Sequence, residues 1–208
     1  NGCFNADTVN VLVNTLPVVS AGADDQICIN DTAQLQANGA LTYVWDNITS
    51  LTDETIDNPQ AFPTATTLYA VIGTDALGCA NVDTVEITVN SLPIIDAGID
   101  TALCINDTIG LLVTGTLNYQ WSPAVNIDND NTDAPSVYPT TSGYYYVEGI
   151  DANTCMNMDS VFVTVYTLPN VIAGADEVLC IGDSVQLQAT GAVNYSWQDG
   201  TFLSDTAI

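Results

Sequence analysis

The side chains able to do chemistry in this chain are cysteines, carboxylates and hydroxyls. Six Cys, 25 Asp and Glu, and not one Lys, Arg or His occur in 208 residues, a formal net charge of -25. A Ser or Cys nucleophile therefore has no imidazole or amine to activate it, and Schiff-base lysines, arginine fingers and histidine metal sites are excluded. Phosphate backbones and anionic membrane surfaces need Lys or Arg to hold them, so nucleic acid and direct anionic membrane binding are excluded as well. The cysteines form two series, Cys28, Cys104, Cys180 and Cys3, Cys79, Cys155, each with a 76-residue step. Fixed positions without CxxC spacing point to disulfides made outside the cytoplasm rather than to metal or redox chemistry. No catalytic site emerges, and the chain reads as a non-enzyme.

The elements that must position these groups come next. With 47% hydrophobic residues, 12% charged residues and a mean hydropathy of +0.23, the chain can bury a core despite its acidity. It has no apolar run of membrane-spanning length and no basic segment before an apolar stretch. It begins Asn1-Gly2-Cys3 without an initiator Met, and is read as a piece of a longer protein.

Sliding the sequence by 76 residues aligns Leu16-Pro17 with Leu92-Pro93 and Leu168-Pro169, and 30 of 76 positions are identical between the two complete copies. The expected organisation is the end of one repeat at 1–15, whole repeats at 16–91 and 92–167, and the first part of a further repeat at 168–208. Within a repeat the apolar residues recur with period two, which predicts strands. The runs are Ala33, Leu35, Ala37; Leu41, Tyr43, Trp45; Tyr69, Val71, Gly73; and Val85, Ile87, Val89, with equivalents one step away, including Val9, Val11, Val13 and Val185, Leu187, Ala189. Alternation makes Tyr145 a core residue with Tyr144 and Tyr146 on the other face, and places Trp45, Trp121 and Trp197 in cores. About seven short strands in such a length predict a β-sandwich.

The order of features, a B-strand run, a Trp in strand C and Tyr-x-Val in strand F, is immunoglobulin-like, with Leu and Val where antibody domains carry the B–F disulfide. Cys-Ile-Asn-Asp-Thr at 28–32 and 104–108, Tyr43-x-Trp45, Trp121-Ser122-Pro123, Pro-Thr-x-(Thr/Ser) at 63–66 and 139–142, and a closing Val-x-Val-x-Val complete the pattern. The chain resembles the PKD-like and Ig-like repeats of giant Bacteroidota cell-surface proteins, similar to gliding adhesins exported by type IX secretion. The resemblance implies an all-β fold, tandem immunoglobulin-like (PKD-like) sandwiches arranged head to tail as a rod.

On that fold two disulfide schemes are open. Counting gives one bond per domain, Cys28–Cys79 and Cys104–Cys155. In an Ig sandwich, however, the turn before strand B and the F–G turn lie at opposite poles, roughly 23 Å apart for a seven-residue strand, while a disulfide tolerates about 7 Å between Cα atoms. The pole argument favours an interdomain Cys28–Cys155 bond, leaving Cys3, Cys79, Cys104 and Cys180 to partners elsewhere.

The same poles would gather Asp24, Asp31, Asp151 and Asp159, giving an expected Ca²⁺ site at the junction, with solvated turn acids as the alternative. An Asp-(Ser/Thr)-apolar pattern at Thr8, Thr32, Thr84, Thr101, Thr108, Ser160, Ser184 and Thr206 is similar to the Bacteroidota O-glycosylation acceptor; the alternative is a loop exit into a strand. The expected function is a structural segment of an extracellular cell-surface filament or adhesin, its partners neighbouring repeats and identical chains in a bundle. A carbohydrate- or protein-binding module is the alternative.

Overall fold

The computed structural model describes residues 2–198 and 203. Its first complete domain contains β1 (Asp25–Cys28), β2 (Ala33–Gln34), β3 (Thr42–Trp45), β4 (Gln60–Ala61), β5 (Thr67–Thr74) and β6 (Ala80–Asn90). The second repeats the series as β7 (Thr101–Cys104), β8 (Ile109–Gly110), β9 (Asn118–Ser122), β10 (Ser136–Val137), β11 (Gly143–Ile150) and β12 (Met156–Tyr166). In each domain a four-stranded sheet, β1-β6-β5-β3 or β7-β12-β11-β9, accompanies a two-stranded sheet, β2-β4 or β8-β10. These correspond to strands A′-G-F-C and B-E of an immunoglobulin-like sandwich. The pairing of β1 with β6 is parallel, and the pairings of β5 with β6 and with β3 are antiparallel.

Alternation builds the core. Ala33, Leu35 and Ala37 from one layer meet Tyr69, Val71, Val85 and Ile87 from the other around Trp45, and all are buried. Leu111, Val113, Tyr145, Val147, Val161 and Val163 do the same around Trp121. Leu35 and Val71, at 2% and 0% exposure, occupy the positions where antibody domains have their cysteine pair. Each buried indole keeps a partner for its N–H: Trp45 Nε1 donates to the carbonyl of Ile56 (3.0 Å) and Trp121 Nε1 to that of Thr132 (2.9 Å).

Three expectations are corrected. Leu41 does not share the face of Tyr43 and Trp45 but is exposed, as are Leu117 and Val193. The reason is local: the Tyr43 hydroxyl donates to the Ala40 carbonyl and accepts from the Ala40 N–H, both at 3.0 Å, so strand C begins only after a clamped turn whose apex carries Leu41. Tyr119 with Thr116 and Tyr195 with Ala192 make the same clamp. Val9, Val11 and Val13 lie in no strand and are exposed, because a G strand needs flanking F and A′ strands and β5 and β11 are already paired within their own domains. Residues Val185, Leu187 and Ala189 likewise form no strand, and Trp197 is only half-buried.

Candidate functional site: the junction of the two domains

Two short turns, built identically in both repeats, present the cysteines. After strand A′ the chain reverses through Cys28-Ile29-Asn30-Asp31, where the Asp31 N–H donates to the Cys28 carbonyl (3.0 Å). The turn needs a left-handed residue, supplied by Asn30 at φ 75, by Asn106 at φ 74 and by Gly182 at φ 95. The second turn is the F–G hairpin. Asp151 Oδ1 accepts the N–H groups of Asn153 (2.8 Å) and Cys155 (2.9 Å), while the Asp151 N–H donates to the Cys155 carbonyl (3.0 Å). Asp75 makes the same set with Leu77 and Cys79. An aspartate four residues before each F–G cysteine therefore fixes the backbone of the turn that carries it.

Cys28 and Cys155 are joined by a disulfide with Cα atoms 5.5 Å apart, at a sequence separation of 127. The bond runs from the A′ end of the first domain to the F–G turn of the second. It replaces the one-bond-per-domain scheme, for the reason that β5 and β6 carry Cys79 to the end of the sheet opposite Cys28: Cys28 is level with Asn90 at one end of β6, and Cys79 immediately precedes Ala80 at the other. Cys155 is fully buried, whereas its repeat equivalent Cys79 is half-exposed with a free thiol. Cys3, Cys104 and Cys180 are exposed thiols.

The aspartates expected to hold Ca²⁺ are not brought together. Asp24 Oδ1 accepts the Glu86 N–H (2.8 Å), Asp159 Oδ2 accepts the Ala97 N–H (2.8 Å), and Asp151 caps its own turn. Among the described residues no group of three or more candidate ligands converges. Asp31 lines an interdomain cleft of about 520 Å³ with Asp25, Gln26, Thr32, Asn153 and Thr154. Sequence reasoning missed the role these carboxylates share: with no base in the chain, they are anchored by backbone N–H groups. The Ala21 N–H donates to Asp83 Oδ2 (2.9 Å), tying the segment before β1 to β6, as Asp159 does for Ala97 and β12. That hydrogen bond, followed by the one from Thr84, holds the Asp83 carboxyl below the usual range. Burial, then the neighbouring Tyr138, pushes the Tyr145 hydroxyl up. The recurrence of Asp83 and Asp159 one repeat apart was the signal available for this.

Of the candidate glycosylation positions, Thr8, Thr32, Thr84, Thr108 and Ser184 are exposed, Thr101 and Ser160 are half-buried, and Thr206 lies outside the described residues. Tyr144 and Tyr146 stack on the outer face of β11 with ring centroids 5.8 Å apart, and Phe162 packs edge-on against Tyr144 at 4.9 Å.

The class these features define is the tandem immunoglobulin-like β-sandwich, here with its disulfide between domains. Compared with known proteins, the chain matches no family and no curated sequence. Among solved structures it is similar to extracellular domains 3–5 of Drosophila OTK, at 13% identity and a TM-score of 0.39, covering 73% of this chain and 60% of that one. It is also similar to the insect immune protein hemolin (14%, TM-score 0.38, 72% of this chain and 47% of that one) and to the Drosophila receptor phosphatase module DLAR Ig1-2 (11%, TM-score 0.32, 73% and 100%). The chain thus spans only part of the first two, and at these identities the likeness concerns the fold alone.

Proposed function

We propose that the chain is a structural repeat segment of a secreted bacterial cell-surface filament or giant adhesin, giving reach and mechanical continuity for attachment. The observation that carries this reading is the covalent bond between consecutive domains, in a sequence whose other cysteines occupy the same two places in the repeat. Disulfides persist in oxidising surroundings, which supports an extracellular setting. The passage Asn90-Ser91-Leu92-Pro93, with no Gly/Ser spacer, supports a stiff connection. Bacterial origin and type IX export rest on the sequence resemblance. Partners are neighbouring repeats and identical chains in a bundle. Ca²⁺ enters only as an added staple: a melting transition raised by Ca²⁺ and lowered by EDTA at low salt supports it. Immunogold electron microscopy of intact cells with an antibody against this chain tests the main reading. Label along projecting fibres is expected; label confined to the cell interior overturns it.

A binding module is the second reading, favoured by the aromatic face of the second domain. Tyr144, Tyr146 and Phe162 stand where the first domain has Leu68, Ala70 and Glu86, and exposed rings of this kind suit stacking on a sugar or a partner surface. Glycan-array binding abolished by Tyr144→Ala supports it.

A further inference from the structure

The topology of the Cys28–Cys155 bond has a mechanical meaning that deepens the structural reading. Strands β1 and β6 run parallel and end together, with Cys28 level with Asn90. Two covalent routes therefore leave the first domain side by side: the main chain through Asn90 to Pro93, and the disulfide to Cys155. The main-chain route from Cys28 to Cys155 covers a sequence separation of 127 and runs through β2 to β6 of the first domain and β7 to β11 of the second. The disulfide route passes through none.

We propose that the bond carries the load across the junction, so that tension crosses each domain on one terminal segment and leaves the rest of its sandwich unloaded. Load enters the first domain at residue 16, follows residues 16–28 through β1 to Cys28, crosses to Cys155, and leaves along β12 to Tyr166. Each domain is crossed on one terminal segment. Strand β12 is already extended over 11 residues, about 36 Å at ~3.3 Å per residue. Pulling its two ends apart lengthens it by no more than about a tenth before the backbone is taut. Sheet hydrogen bonds are sheared when the pulled ends lie on different strands; here both ends of the second domain's loaded segment lie on β12. Residues 29–154 form a closed loop that carries no load. Reduction opens it and puts both sandwiches in series with the force, so the junction is an extension limiter set by redox state.

Single-molecule pulling of the whole chain from its termini tests this. Held oxidised, the chain should extend only by the segments outside the loop. Adding reductant under tension should release about 430 Å of further contour, 127 residues at ~3.4 Å each. Cys155→Ser should show that release without reductant, while Cys79→Ser should behave as the unmodified chain does. Equal total extension with and without reductant overturns the proposal. So does stepwise unfolding of both domains under oxidising conditions. Neither result depends on where the protein is displayed, so the failure of the filament reading and the failure of this one are told apart.

Discussion

Cys28 and Asn90 are register partners across the parallel pair β1–β6, so the residue that enters the disulfide and the residue that leaves for the linker end side by side. Cys104 and Tyr166 stand in the same relation in the second domain. A single β-ladder thus delivers both covalent connections of a junction to the same place.

Loss of that bond should be expensive. Closing a loop of 127 residues is worth about 5 kcal/mol on the chain-entropy treatment. Cys155→Ser is expected to lower the calorimetric midpoint clearly, whereas Cys79→Ser, which removes a thiol without a bond, should leave it within experimental error. Equal midpoints for the two variants would count against the bond.

Gly73, in β5, sits against the segment that carries Val19, beside Ala40. A methyl group there would lie 2.5 Å from Val19 Cγ2 and 2.7 Å from Ala40 Cβ, and Gly149 meets Ile95 and Thr116 in the same way. Gly73→Ala should destabilise the first domain by about 1–3 kcal/mol through overpacking, read as a lower denaturation midpoint. A variant as stable as the parent would show that the Val19 segment yields freely.

Asp83→Ala deprives the Ala21 N–H, on a residue 1% exposed, of its acceptor. A cost of about 1 kcal/mol is expected at neutral pH, the lower end for an orphaned buried donor because Asp83 itself is half-exposed. The folded-state pKa is lowered by the Ala21 hydrogen bond, so the contribution is full above the unfolded value near ~4 and fades as pH falls through the lower folded value. Denaturant titrations from pH 7 to pH 2 should show the gap between parent and variant constant above about pH 4 and closing below it. A gap that widens on acidification would refute the assignment.

Thr154 is a β-branched residue at φ 65 in the F–G turn, where the sister repeat has Gly78 at φ 81. The left-handed conformation costs a non-glycine residue about 1–2 kcal/mol, partly offset by the greater unfolded-state freedom of glycine. Thr154→Gly should therefore stabilise the second domain by about 0.5 kcal/mol; a lower midpoint would mean that the Thr154 side chain makes compensating contacts in the cleft.

Much of this is legible in the sequence itself. The 76-residue step marks equivalent positions, and period-two alternation identifies Leu35, Tyr69, Val71, Val85 and Ile87 as core. Leu41 departs from the alternation because β3 begins one residue after it: the Tyr43 hydroxyl clamp that ends the turn is a contact between side chain and backbone, invisible to periodicity. The backbone partners of the aspartates are hidden from the sequence for a related reason. Asp24 and Asp159 look like a cation cage when only charges are counted, but each is held by a backbone N–H 62 residues away, a partner that composition does not display. The pairing of Cys28 with Cys155 lay within reach only because strand order assigns the two turns to facing poles.

The anchoring of carboxylates by backbone amides also decides how the fold meets dissolved ions. Ordinary domains lose attraction between opposite charges when salt screens them. This chain has no basic side chain to lose, and screening acts on it only by weakening repulsion among 25 acids. Raising ionic strength is thus expected to stabilise this fold, where it weakens one held by ion pairs. Fresh water is the more demanding solvent for this molecule, and brine the gentler one.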